Sequence, residues 1–217
     1  MANTNSADKT LENLLNVVHF LPWIGENYNT GGIFSKRILV LGESQYCGDD
    51  ACDRETCENA CDCKDFTQNV VKYFLDHEEH ERWMNTYTKF ERSLLGTYTD
   101  EETSKKIWNS IFFYNYLQYN LGGPRQQGEW DGYDKAVVPF YQVLDYLKPE
   151  IIIVWGLLPG DGRWVSSDNI EVDGIPFENG YYKLSNGNKA RVFPVYHPSA
   201  GYDWTWWHKV ITTMIEL

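Results

Sequence analysis

A chain of 217 residues is long enough for one substantial core, and one domain is the expectation. With 42% apolar and 16% aromatic residues, the composition excludes a disordered polymer. Nineteen basic residues face 31 acidic ones, a formal charge of -12, which excludes a general high-affinity binder of duplex phosphates.

Small molecules, proteins and weakly held single strands remain as partner classes, and the acidic surface suits a basic protein partner. The opening MANTNSADK has no basic start leading into an apolar run, and no stretch approaches the roughly 18 apolar residues of a membrane span. The expectation is a soluble, cytoplasmic protein without membrane contact. Nine Trp and fifteen Tyr supply core area or faces for stacking bases and sugars, and composition does not choose between those uses.

In chain order, Leu11, Leu14, Leu15 and Val18 have helical spacing from Ala7 onward, until Pro22 and the run ENYNTGG break it. Arg37 to Leu41 is a short apolar run, as in a strand buried on both faces. Gly42 ends it, and polar Glu43, Ser44, Gln45 and Tyr46 follow. In open α/β sheets the ligand crevice lies just beyond such strand ends.

All five cysteines, at 47, 52, 57, 61 and 63, fall in an acidic insertion over 47–63. Their spacing lacks the paired C-x2-C units usual for zinc. Zinc held by four of them and thiols with no special role are the alternatives; disulfides are disfavoured in a cytoplasmic setting. No metal is assigned and no cofactor is required.

Helical patterns follow over Phe66 to Leu75 and Glu81 to Leu95. Thr99 with Glu102 reads as a capping box that opens a helix through Trp108. Ser110 to Tyr116 predicts a second strand with Asn115 near its end, and Leu121 to Tyr133 a Gly-rich loop. Lys135 to Leu147 has helical spacing, Ile151 to Trp155 predicts a third strand, and Gly156 to Val165 a short helix. Ile170 to Tyr182 reads as a hairpin or extended excursion. Ala190 to Tyr196 predicts a fourth strand that delivers His197-Pro198-Ser199, and Trp204 to Leu217 a closing helix. Strands separated by helices predict an α/β fold: a three-layer α/β/α arrangement around a four-stranded, mostly parallel sheet.

GESQY at 42–46, FFYNYL with Asn115, VWG at 154–156 and His197 to Ser199, in that order, resemble the motifs of the uracil-DNA glycosylase superfamily. The resemblance spans Arg37 to Leu217 and implies that fold, with a site that recognises and excises uracil or a modified base. Breaking a base–sugar bond builds positive charge on the sugar and negative charge on the departing base. The first calls for a carboxylate and the second for a hydrogen-bond donor. Carried over, His197 stabilises the leaving base and Glu43 serves the sugar and water. Asn115 reads the pyrimidine edge, Phe66 stacks on the flipped base, and Tyr46 excludes a 5-methyl group. Ser44, Gln45 and Ser199 complete the binding residues. Ser44 stands where the most active branch has Asp, and Gln45 where it has Pro, so Glu43 is the only carboxylate in the motif. Tyr202 or Trp204 matches the place of an apolar wedge, against the alternative of a buried helix face. DNA held weakly or as a single strand, or a free nucleobase or nucleotide, is the implied partner. The rival readings are a non-catalytic nucleobase-binding module and a protein-interaction module on the same fold.

Overall fold

The computed structural model describes residues 17–47, 63–123, 126–156, 164–199 and 201–217. The helix expected from Ala7 lies almost wholly outside these residues, as do most of the cysteine-bearing insertion and most of 156–165.

The elements in order are β1 (Trp23–Ile24), β2 (Ile38–Gly42), β3 (Gln45–Tyr46), α1 (Phe66–Asp76), α2 (Asn85–Leu95), α3 (Glu101–Trp108), β4 (Ile111–Asn115) and β5 (Asn120–Leu121). They continue with α4 (Trp130–Leu147), β6 (Ile151–Trp155), β7 (Val165–Ser166), β8 (Ile170–Val172), β9 (Ile175–Phe177), β10 (Gly180–Lys183), β11 (Lys189–Val195) and α5 (Trp204–Glu216). The main sheet has the order β1-β4-β2-β6-β11-β10-β7. Its four central strands are parallel: Ile38 pairs with Ile111 on one side and Ile151 on the other, and Ile152 pairs with Val192.

These are the four strands that the apolar runs predict. The sheet itself is seven-stranded, because β1 adds antiparallel to β4 while β10 and β7 add antiparallel beyond β11. The outermost two, β1 and β7, are two residues long, too short to show a period of two in the sequence.

Every residue of β2, β4 and β6 is buried, so both sheet faces need a cover. Leu39, Leu41, Phe112, Tyr114, Ile152 and Val154 point to one face and pack with Phe140, Val143 and Leu144 of α4. Ile38, Val40, Ile111, Phe113, Ile151 and Ile153 point to the other, against Phe90 of α2, Trp108 of α3 and Val210, Ile211 and Met214 of α5. Helices thus cover both faces of an α/β sheet.

Four local expectations change. The helix expected from Glu81 begins as a 3-10 turn, Arg82–Met84, before α2. Asp100, not Thr99, caps α3: its carboxylate accepts from the backbone N–H of Thr103. Thr99 instead donates its hydroxyl to the buried Glu91. The Gly-rich segment yields its last residues to α4, which starts at Trp130. Val165 is in a strand, and the Ile170 to Tyr182 excursion is the hairpin β8–β9 followed by β10. Asp173 and Gly174 both have positive φ, 49° and 76°, as a two-residue hairpin turn requires. Among the described residues no helix is long and apolar enough to cross a membrane.

Candidate functional site at the strand carboxyl ends

β4 and β6 flank β2 on opposite sides. The chain goes from β2 to β4 through α1, α2 and α3, and from β4 to β6 through α4 on the other face. Such a reversal opens a crevice at the carboxyl ends of the strands. Adjacent strands deliver Asn115, Gly42, Trp155 and then His197 to this edge. At about 4.8 Å per strand, the row spans roughly 14 Å from β4 to β11.

The first group gathers around Gly42. A Cβ there would sit 2.4 Å from Asn115 Oδ1, so only glycine lets the Asn115 amide lie against the strand end. The exit loop is pinned by backbone bonds from Tyr116 N–H to Gly42 C=O and from Leu117 N–H to Glu43 C=O, both 2.9 Å. Glu43 is half-buried, and its Oε1 accepts a hydrogen bond from the Tyr133 hydroxyl. Burial raises the Tyr133 pKa, and the Glu43 carboxylate raises it further, so the phenol remains a donor at neutral pH.

Ser44 is half-buried. Gln45 begins β3, which pairs with β5, and it is 7% exposed. Its Oε1 accepts from Asn115 Nδ2 at 3.1 Å and from the Thr67 hydroxyl at 3.0 Å. Its Nε2 is buried and has no hydrogen-bond partner among the described residues. Such a donor is costly unless something accepts from it. One Asn115 donor is thereby turned inward, toward Gln45.

Phe66 opens α1 beside Thr67 and is half-buried, with its ring 6.2 Å from that of Phe20. Tyr46 is 46% exposed.

The second group forms at β6 and β11. Gly156 takes φ +84°, a conformation that favours glycine, and donates its N–H to Val195 C=O at 2.7 Å. The His197 ring meets Trp155 edge-on, with centroids 5.9 Å apart. His197 Nδ1 lies 3.2 Å from the Ser199 N–H, which donates to it, and 2.9 Å from the Ser199 hydroxyl. An Nδ1 that accepts from a backbone N–H carries no proton, so the neutral ring holds its proton on Nε2. His197 is exposed, yet desolvation by the protein around the ring lowers its pKa, which favours the neutral form.

The structure therefore joins Gln45 to Asn115 in one group, with Glu43 beside them in the exit loop but bonded to Tyr133, and His197 to Ser199 in another. Among the described residues no hydrogen bond links the two. Tyr202 is buried, donates to Ser93 Oγ at 2.8 Å and stacks on Trp207, so it packs as core. Trp204 is half-buried against Tyr98 at the start of α5.

Sequence reasoning missed Tyr133 and Thr67. Thr67 adjoins Phe66 and was within reach of the motif. Tyr133 lies 90 positions from Glu43 and carries no local signal.

Of the cysteines, Cys47 is a free thiol. Cys63 is disulfide-bonded, against the expectation that these thiols stay unpaired. Cys52, Cys57 and Cys61 lie outside the described residues. Among the described residues no three His, Cys, Asp or Glu are grouped to hold a metal.

No protein-family model matches the chain, and no curated protein is recognisably similar to it.

Proposed function

We propose that this is a uracil-DNA-glycosylase-like protein. It seats a pyrimidine at the carboxyl ends of β4, β2, β6 and β11 and hydrolyses the base–sugar bond in single-stranded or transiently opened DNA. The observation that carries the reading is the hydrogen bond from the Ser199 N–H to His197 Nδ1, 3.2 Å, just beyond the end of β11. With Nδ1 accepting, a neutral ring has Nε2–H as its donor, and the lowered pKa favours that neutral ring. A base leaving with the bonding electron pair puts negative charge on its carbonyl oxygens, and such a donor stabilises that charge.

Glu43 is the carboxylate for the other half of the reaction. It faces the positive charge that develops on the sugar and takes a proton from the attacking water, whose oxygen forms the new bond to the sugar carbon. Phe66 supplies the stacking face, Asn115 with Gln45 the amide groups for the pyrimidine edge, and Tyr46 the rim. Ser44 and Ser199 line the same strand ends. The charge of -12 limits affinity for duplex phosphates and suits a weakly held or single-stranded substrate.

A second reading has its own support. Asn115 spends a donor on Gln45, and Ser44 is neutral where the most active branch has Asp. A module that binds a nucleobase or nucleotide without cutting would have both features.

The experiment is a gel assay on oligonucleotides with one uracil, single- and double-stranded, followed by heat and alkali. Cleavage by the wild type that Glu43→Gln and His197→Ala both lower roughly 100-fold or more, leaving a residual rate measurable at high enzyme, is the expected result. Full activity in either variant would refute the assigned roles. Binding of free base without any cleavage would favour the second reading.

A further inference from the structure

We infer that Tyr133 is a positioning residue for Glu43, and that Gly128 and Gly132 make room for its hydroxyl there. The inference deepens the reading above and rests on it.

A free glutamate side chain samples many rotamers, and an exit loop alone does little to choose one. Here the residue is held twice by a single stretch of chain: its C=O by Leu117 N–H and its Oε1 by the Tyr133 hydroxyl. The second bond occupies Oε1 and leaves Oε2 for the sugar or its water. A tyrosine hydroxyl carries one donor, and here that donor is spent on the carboxylate.

Two glycines make this placement sterically possible. A Cβ on Gly128 would come within 2.3 Å of Leu117 Cδ1 and 3.2 Å of Tyr133 Cζ. A Cβ on Gly132 would come within 2.5 Å of the Tyr119 ring. Tyr119 in turn accepts from the Glu129 N–H at 2.9 Å through its hydroxyl, which fixes the entry to α4. The Tyr116 ring stacks on Tyr133, 6.3 Å between centroids at 27°. Tyr133 is 4% exposed and has little room to move.

The test is a cycle of four proteins, wild type, Tyr133→Phe, Glu43→Gln and the double variant, assayed on a uracil oligonucleotide. Tyr133→Phe keeps the buried ring, and an unchanged melting curve shows that it folds. Removing one hydrogen bond to a charged group should lower kcat roughly 10- to 100-fold. KM should stay within about twofold, since the phenol does not touch the base. In the Glu43→Gln background the same substitution should cost less than about twofold. An unchanged kcat, or an equal loss in both backgrounds, overturns the inference while leaving the glycosylase reading intact. A wild type that cuts nothing overturns that reading instead. The 13C resonance of the Glu43 carboxyl then decides: it shifts in Tyr133→Phe if the phenol holds it, and an unmoved resonance overturns the inference.

Discussion

Glu91 offers the sharpest test of how the helical layer is held. It is 1% exposed, yet charged by nature. Its Oε1 accepts from the Ser104 hydroxyl and from Trp108 Nε1, the latter at 2.8 Å, and its Oε2 accepts from the Thr99 hydroxyl at 2.8 Å. It thus ties α2 to both ends of α3. Glu91→Ala leaves the wholly buried Trp108 N–H without an acceptor, at about 1–3 kcal/mol. Loss of the packed methylene adds about 0.8 kcal/mol. The sum, about 2–4 kcal/mol, lowers Tm by roughly 5–15 °C in a chain of this length.

Glu91→Gln behaves differently. The amide oxygen keeps the Trp108 and Ser104 donors, and its NH2 donates to Thr99, whose hydroxyl turns to accept. Burial raises the Glu91 pKa, with the three side-chain donors opposing. A carboxyl raised in the folded state contributes stability that is full below the unfolded value, near 4.5, and lost as pH rises through the folded one. The glutamine variant lacks that loss, so its stability relative to wild type should grow as pH rises above about 4.5. Urea unfolding of the three proteins at several pH values reads both effects. An alanine cost below about 1 kcal/mol, or a glutamine variant as unstable as alanine, would refute the reasoning.

Two further outcomes follow from the site. Gly42→Ala should push the Asn115 amide off the strand end and break its bond to Gln45, at about 1–3 kcal/mol in urea unfolding. A crystal structure of the variant with Asn115 unmoved would contradict this. For His197, nitrogen NMR at pH 7 should show an unprotonated Nδ1 and a protonated Nε2. Its titration midpoint should lie below the ordinary value of 6.5, since desolvation disfavours the charged ring. A depressed histidine contributes stability that is present above its unfolded value and lost as pH falls through the folded one. A midpoint at or above 6.5 would remove the argument for a neutral donor.

How much of this was legible in the sequence depended on how local each cause was. Ile38 to Leu41 and Ile151 to Trp155 announced themselves because strands buried on both faces are apolar throughout. His197 and Asn115 were found because both follow such runs. The cap of α3 was misplaced by one residue because Thr99 and Asp100 are both good caps, and the choice was made by Glu91 at a distance. The edge strands were invisible because Trp23–Ile24 and Val165–Ser166 are held by their neighbours' hydrogen bonds and have no pattern of their own. The start of α4 was hidden by Gly128 and Gly132, which read as loop signals. Gly132 is inside the helix, where the Tyr119 ring leaves no room for a side chain. Tyr133 could not be assigned at all, since its meaning comes from a carboxylate in another loop.

The position of β2 also bears on how the protein is made. Its strand neighbours both come later in the chain: Ile38 must wait for Ile111 and then Ile151. A ribosome therefore releases the run Ile38 to Leu41 long before either flank exists. During that interval the most apolar stretch near the start is exposed to other nascent chains, and sheet closure is a late, long-range event.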